Sequence, residues 1–169
     1  MAHDLEQKFI TDDHFKAFGR IVQAFVTVEI LYAHLIEAIL KIDKASSALV
    51  FAPYGYDGYK NLLKAIVSES SSSKEDQAEI FKLIDKVNDK SALRNNIAHC
   101  SWKPGRRAGS IKPMVLKTRG SVFILGIEHN EKDWTAEELN AEADQILERA
   151  LKVGEFFTDR GVKIRDGSN

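Results

Sequence analysis

Three polar side chains stand close together in the segment Leu93-Arg94-Asn95-Asn96-Ile97-Ala98-His99-Cys100-Ser101-Trp102. Arg94 carries a permanent positive charge on a guanidinium that can bind two phosphate oxygens at once. His99 carries an imidazole that titrates near neutral pH and can therefore take up or release a proton. Asn95 can hydrogen-bond a phosphate or hold His99 in one tautomer. These groups suit phosphate chemistry without a metal, although their spacing alone also fits structural roles at a helix end.

The position of this segment in a predicted helix strengthens the chemical interpretation. The capping-box spacing of Ser72 and Glu75 predicts a helix that runs into the segment, and Pro104-Gly105 predicts its end. At 3.6 residues per turn, one face of that helix comprises Ile80, Ile84, Val87, Ser91, Arg94, Asn95 and Ala98. Because this face changes from aliphatic to small and polar, we expect the helix end to border a polar cleft. The negative end of the helix dipole favours the imidazolium form of His99 there.

A basic segment follows directly. No acidic residue occurs from His99 through Ile127, whereas this segment contains Lys103, Arg106, Arg107, Lys112, Lys117 and Arg119. This pattern indicates an anion-binding surface, with Lys103, Arg106 and Arg107 as candidate substrate ligands. A solvated loop and hairpin with no ligand would give the same pattern. Trp102 is a further candidate, since it could stack on a nucleobase or simply pack at the helix end.

Glu29 is an acidic residue inside an apolar helix face, between Phe25 and Tyr32. A carboxylate in that position requires a partner, and Arg94 is the best candidate. The pair is either a buried ion pair that orients the fold or a contact that positions Arg94 for phosphate. We therefore assign Glu29, Tyr32 and Ser91 to the surroundings of Arg94. If Glu29 fully neutralises Arg94, phosphate binding becomes less favourable.

Apolar periodicity predicts a mainly all-α fold, an antiparallel bundle of about four main helices. The first helix spans about Phe15–Lys41, the second about Tyr59–Ser68, and Ala45–Tyr59 forms a short helical turn and a loop. The residues Ile111–Lys117 and Val122–Glu128 predict a small β-hairpin before the last helix, with Pro113 on an edge. Thr135 and Glu138 form a capping box that begins the last helix.

Composition places the chain among ordinary soluble proteins. The 169 residues carry a formal net charge of −1, and their number favours one domain over 1–169, with flexible tails at 1–12 and 162–169. Cys100 is the only cysteine, which excludes an internal disulfide and fits a reducing cytoplasm. No spacing suggests a metal site, and no cofactor is implied. We expect neither a signal peptide nor an apolar run near the roughly 18 residues of a membrane span.

Arg94-Asn95-Asn96-Ile97-Ala98-His99 resembles the signature of the HEPN superfamily, in which four to six residues separate an arginine from a histidine and a polar residue directly follows the arginine. The fuller string, Arg-Asn-x-x-Ala-His with Trp102 after it, is more specific than the bare spacing. The long first helix with Glu29 and the last amphipathic helix are also similar to the family. The likeness covers roughly 15–158, and the hairpin within that range is an elaboration to which the resemblance assigns no role.

The resemblance implies a helical domain that often forms homodimers, with two motifs meeting at the interface. It implies a metal-independent endoribonuclease of the kind found among toxins, in which His99 is the general acid/base, Arg94 stabilises the phosphorane and Asn95 assists. It also allows an inactive module that binds RNA, a nucleotide, an antitoxin or another protein partner. A purely structural helical dimerisation domain is the third alternative.

Overall fold

The computed structural model describes residues 9–51, 53–70, 73–119, 122–126 and 132–162. The described residues are mainly helical, with antiparallel strands before the last helix, which confirms the predicted fold class. In chain order the elements are α1 (Asp12–Leu40), α2 (Lys44–Phe51), α3 (Tyr56–Glu69), α4 (Lys74–Asn88), α5 (Ser91–His99), β1 (Ser101–Pro104), β2 (Ile111–Arg119), β3 (Val122–Gly126) and α6 (Ala136–Asp159). Most of the two predicted tails lies outside the described residues.

The chain divides into two compact units. The motif unit comprises 1–23 and 90–144, and the second unit comprises 24–89 and 145–169. Residues 12–23 of α1 therefore belong to the motif unit, and residues 24–40 belong to the second unit. The prediction of a single domain stays a prediction.

The start of α1 is fixed by Thr11, three residues earlier than predicted. The Thr11 hydroxyl lies 2.8 Å from Nδ1 of His14 and accepts a hydrogen bond from the His14 backbone N–H at 3.4 Å. Asp12 and Asp13 add negative charge to the first turn, where the helix dipole favours it. The helix ends at Leu40, because Lys41 adopts a left-handed conformation with φ of 55°.

α1 is long and apolar enough to cross a membrane by length and composition alone. The expectation that no segment approaches such a span is therefore wrong by this criterion. The evidence for a span is weak, since core helices of soluble proteins have the same composition and 39% of the most apolar window of α1 is buried inside the protein. Its buried residues are His14, Ala17, Ile21, Ala24, Phe25, Val28, Tyr32, Leu35 and Ile36.

The predicted third helix is in fact two helices. Ser73, rather than Ser72, caps α4, and its hydroxyl accepts a hydrogen bond from the Asp76 backbone N–H at 3.0 Å. α4 ends at Asn88, and α5 begins at Ser91 after a turn at Asp89 and Lys90. In the second unit, α2 occupies the first part of the segment Ala45–Tyr59, where a short helical turn followed by a loop was predicted.

The strands form one sheet in the order β1-β2-β3. β1 was not predicted from the sequence, and its residue Trp102 pairs with Pro113 of β2. β1 pairs with β2 only up to Met114, and the described pairs of β3 with β2 begin at Val115. The predicted edge position of Pro113 is therefore wrong, since β2 is the central strand. The backbone N–H and carbonyl of Ile111, two residues earlier, bond to Trp134 and not to β1. By the alternation of the strand, position 113 also points away from β1, so the missing N–H of Pro113 costs no hydrogen bond to β1.

The capping box predicted for the last helix is confirmed. The Thr135 hydroxyl accepts a hydrogen bond from the Glu138 backbone N–H at 3.2 Å, and the Glu138 carboxylate accepts one from the Thr135 backbone N–H at 2.9 Å. The backbone of Trp134 pairs with Ile111 of β2 through two hydrogen bonds. The start of α6 is thus held against the sheet of the motif unit.

Candidate functional site

The motif residues Arg94–His99 of α5 are all exposed or half-buried. Leu93 is buried, whereas Asn95, Ala98 and His99 are exposed and Arg94 is half-buried. The prediction that Ser91, Arg94, Asn95 and Ala98 continue the buried face of the preceding helix is therefore wrong. The turn at 89–90 interrupts that helix, so the helical phase set by Ile80, Ile84 and Val87 does not extend into α5.

Arg94 and Asn95 are joined directly. Nη1 of Arg94 donates a hydrogen bond to Oδ1 of Asn95 at 3.1 Å. Within the described part of the motif unit, the Arg94 guanidinium forms no ion pair with a carboxylate. This bond uses one of the five N–H donors of the Arg94 guanidinium, and the amide of Asn95 keeps its two N–H donors.

His99 is the last residue of α5 and is exposed. Asn95 precedes it by four positions, and this spacing places the two side chains next to each other on the helix surface. Arg94 precedes it by five positions, which corresponds to roughly 7.5 Å along the axis and about 140° around it. Asn95 therefore lies between the guanidinium and the imidazole on the helix wheel. The long arginine side chain can bridge part of this separation.

An ion pair that was not predicted from the sequence fixes the start of α5. Nζ of Lys90 lies 2.6 Å from Oε2 of Glu142, and Nζ of Lys132 lies 4.0 Å from the other oxygen of the same carboxylate. Glu142 is only 7% exposed. The backbone carbonyl of Lys90 accepts hydrogen bonds from the backbone N–H groups of Leu93 and Arg94. Glu142 therefore holds Lys90, the residue directly before the motif helix.

The need of Glu142 for a cationic partner could have been predicted from the sequence. The residue stands between Leu139 and Ile146 on the apolar face of α6, just as Glu29 stands on that of α1. An acid in such a position requires a cation. The partners, Lys90 and Lys132, are far away in the sequence and are set by the tertiary fold.

Arg107 is engaged by the protein itself. Its Nη1 and Nη2 donate to the two carboxylate oxygens of Glu138 at 2.9 and 2.7 Å, and Nη2 also donates to the backbone carbonyl of Asp133 at 2.6 Å. The guanidinium and the Thr135 N–H lower the pKa of Glu138 to about 2. The same contact raises the pKa of Arg107. Arg107 is therefore a structural cation here, and it is not available as the predicted substrate ligand.

The side chain of Trp102 is packed in the protein interior. It is 8% exposed, and its ring centroid lies 4.8 Å from that of Phe18 on α1. Of the two roles open to Trp102, the structure shows the packed one, since a buried ring offers no free face to a nucleobase.

Lys103 and Arg106 are the remaining basic candidates next to the motif. Lys103 is half-buried on β1, and Arg106 is exposed in the following loop. The backbone N–H of Arg106 donates to the carboxylate of Asp133, which fixes the loop. The positive surface that accompanies the motif is thus smaller than the sequence suggested.

The predicted surroundings of Arg94 are distributed over both units. Ser91 is the first residue of α5 in the motif unit and is half-buried. Glu29 and Tyr32 lie in the second unit, where Glu29 is half-buried and Tyr32 is fully buried. Burial raises the pKa of the Tyr32 hydroxyl, with a smaller contribution from Tyr56. The pairing of Glu29 with Arg94 stays a prediction.

Within the described residues, no group of three or more His, Cys, Asp and Glu side chains is placed to hold a metal ion. No known protein family, curated protein or solved structure matches the chain. The resemblance of the motif to the HEPN superfamily is thus neither strengthened nor weakened by comparison.

Proposed function

We propose that the protein is a cytoplasmic, homodimeric, metal-independent endoribonuclease that uses Arg94, Asn95 and His99. The observation that best supports this proposal is their common placement on α5. The Arg94 guanidinium has no described acidic partner in its unit, and an exposed imidazole lies one and a half turns further along the helix. A positive charge left available beside a titratable base is what phosphoryl transfer requires.

In the proposed reaction, His99 accepts the proton of an RNA 2′-hydroxyl while the 2′ oxygen attacks the adjacent phosphorus. Arg94 binds the non-bridging oxygens and stabilises the charge that develops on the phosphorane. The bond to the 5′ oxygen then breaks, and the imidazolium returns one proton to that leaving oxygen. The products are a 2′,3′-cyclic phosphate and a 5′-hydroxyl, and His99 ends the reaction as it began.

Asn95 is suited to position both groups. Its Oδ1 accepts the hydrogen bond from Arg94, which leaves its N–H donors for a phosphate oxygen or for His99. Lys103 and Arg106 supply the charge that attracts the RNA backbone, and binding is therefore expected to weaken as salt is added.

Cleavage of a single-stranded RNA in EDTA tests the proposal. The purified chain is expected to cleave it, and His99→Ala is expected to abolish cleavage. His34→Ala is the matched control, because His34 lies on α1 outside the motif unit. Activity that survives His99→Ala would contradict the assignment. Binding without cleavage, lost in Arg94→Ala, would instead support the inactive RNA-binding module.

A further inference from the structure

Two apolar cavities lie side by side at one end of the second unit. The smaller one has a volume of about 190 Å³, and the larger, more open one has a volume of about 420 Å³. Ile39, Ile66 and Ser70 line both cavities, so the two form one cleft. We call this space the end cleft. Every residue that lines it belongs to 24–89 or 145–169, and the end cleft therefore lies entirely within the second unit.

The buried part of the smaller cavity is apolar. Val67, Ile80, Phe156 and Phe157 line it, and each of them is at most 7% exposed. Since a dry cavity of roughly 150 Å³ is enough to bind benzene, this one can hold an aromatic ring or a chain of about six carbons. Leu40, which lines the larger cavity, is 45% exposed, and a ligand in the cleft would cover it. The end cleft thus has the size and lining of a site for a small apolar group.

Three helices end at the end cleft. The larger cavity is lined by the last residues of α1 and α3, and the smaller one also by the last turn of α6. None of these helices has a basic residue in its last turn. Each has an acid there instead, namely Glu37, Glu69 and Asp159. Carboxylates at the negative end of a helix dipole are unfavourable, so a cation at this end would be stabilised.

Arg160 is the one basic side chain among the described residues that line the end cleft, and the protein itself binds it. Its Nε donates to the Asp76 carboxylate at 3.0 Å, and its Nη1 donates to the Phe156 carbonyl at 3.2 Å. Its Nη2 lies 3.5 Å from Glu79. The hydrogen bond from Arg160 lowers the pKa of Asp76. Two carboxylates therefore offset the charge of Arg160, which makes it a poor anchor for an anionic ligand.

Glu69 stands beside the apolar wall of the larger cavity. It is exposed and follows Ala65 and Ile66 by four and three positions on α3, so the three side chains share one face of that helix. Within the described part of the second unit, Glu69 forms no ion pair. The exposed Lys41 and Lys74 line neither cavity. A cation carried by a ligand in the cleft would thus meet an unpaired carboxylate.

We propose that the end cleft binds an organic amine, with a primary ammonium on an apolar body of about six to eight carbons. The apolar body occupies the smaller cavity, and the ammonium lies in the larger one beside Glu69. A primary amine carries a positive charge at neutral pH, as the lysine side chain does. This inference does not depend on the ribonuclease proposal, because no residue of the end cleft belongs to the motif unit.

An NMR titration of the full chain with n-octylamine tests the site. 1-Octanol and octanoate are the matched probes, because they carry the same chain with no charge and with the opposite charge. We expect saturable shifts at the cleft residues, with octylamine at least about fivefold tighter than octanoate and 1-octanol in between. The absence of saturable binding would overturn the proposal. Equal affinities, or tighter binding of octanoate, would refute the selection of a cation.

Glu69→Gln tests the role of the carboxylate. It is expected to lower the affinity for octylamine about threefold and to leave the affinity for 1-octanol unchanged, because only the amine is charged. Glu155→Gln is the matched control, since Glu155 is an exposed residue of α6 that lines neither cavity. It is expected to change neither affinity. Equal losses in the two variants would indicate general charge attraction and contradict a contact with Glu69.

Ala65→Trp tests the cavity itself. Ala65 is exposed and lines the larger cavity, so an indole at this position should obstruct the cleft and weaken all three probes about tenfold. Asn61→Trp places the same ring one turn earlier on α3, outside the cleft, and should bind like the wild type. Circular dichroism checks that both variants fold. Unchanged octylamine binding by a folded Ala65→Trp protein would place the ligand elsewhere and overturn the proposal.

Two competing occupants give different results. If octylamine dissociates an oligomer of the chain in light scattering, a second copy occupies the cleft. If an amphipathic peptide of leucine and lysine binds more than about 100-fold tighter than octylamine and loses this affinity in Ala65→Trp, the cleft belongs to a protein partner. Either result would refute a small amine as the ligand.

Discussion

Arg94 and Asn95 are consecutive in the sequence and hydrogen-bonded in the structure, with Nη1 of the arginine 3.1 Å from Oδ1 of the asparagine. The bond is made through an uncharged acceptor, so it restrains the guanidinium without neutralising it. A carboxylate at the same position would restrain it equally and cancel its charge.

This difference leads to a prediction about position 95. Asn95→Asp is expected to lower kcat/KM for RNA cleavage by about 10²-fold or more, because the new carboxylate pairs with Arg94 and competes with phosphate. Asn95→Ala removes the restraint but leaves the charge, so its loss is expected to be smaller. Steady-state kinetics on one defined RNA measures both. An Asp variant as active as the wild type would show that the charge of Arg94 is not used.

Trp102 is expected to matter for stability and not for RNA contact. Trp102→Ala should lower the free energy of unfolding by about 3–5 kcal/mol, because it leaves a cavity next to Phe18. Trp102→Phe keeps a ring in that place and should unfold closer to the wild type. Urea unfolding gives the stabilities, and RNA affinity of the folded Trp102→Phe protein should be unchanged. A large affinity loss in that variant would indicate that the ring contacts RNA.

The Glu138 network predicts a pH dependence of stability. The folded pKa of Glu138 is lowered from 4.5 to about 2, with the Arg107 guanidinium as the largest cause. A lowered folded pKa contributes stability above the unfolded pKa, and this contribution is lost as pH falls from about 4.5 towards 2. Glu138→Gln should therefore be less stable than the wild type at neutral pH by about 1 kcal/mol. Urea unfolding should show this difference shrinking near pH 3, and a constant difference would be inconsistent with the network.

The Lys90–Glu142 pair is expected to fix the start of the motif helix. Glu142→Gln removes the charge that Lys90 meets at 2.6 Å, and we expect a loss of about 2 kcal/mol in unfolding free energy. The double variant Lys90→Met/Glu142→Leu should recover much of that loss, because the charge it leaves without a partner, that of Lys132, is 56% exposed to solvent. Thermal or urea unfolding of the three proteins forms the test. If the double variant is no better than Glu142→Gln, the pair is not the cause.

Local patterns predicted the existence of the long helices and the cap of the last one. Thr135 and Glu138 stand three residues apart, and their reciprocal hydrogen bonds depend on little else. The last helix and the hairpin region were therefore accessible from sequence. The break between α4 and α5 was not, because Asp89 and Lys90 are ordinary helix residues and no proline or glycine marks the turn.

The candidate site was predictable in its residues but not in its surroundings. Arg94, Asn95 and His99 share α5 as expected, yet they lie on its outer side because the helix restarts at Ser91. The partner of Arg107 is Glu138, 31 residues further along the chain. The capping box of the last helix already accounts for a glutamate at position 138, so nothing in the sequence marks it as the partner of Arg107. Pairings across such separations are decided by tertiary packing, which one sequence does not specify.

The nature of the product ends tests the central claim most directly. A defined single-stranded RNA is incubated with the wild-type protein in EDTA, and the fragments are analysed by mass spectrometry. We expect fragments with 2′,3′-cyclic phosphate and 5′-hydroxyl ends. The variants Arg94→Ala and His99→Ala should not cleave, and the wild type should not cleave at a nucleotide whose 2′-hydroxyl is replaced by hydrogen. Fragments with 3′-hydroxyl and 5′-phosphate ends, or cleavage that requires added Mg²⁺, would contradict it.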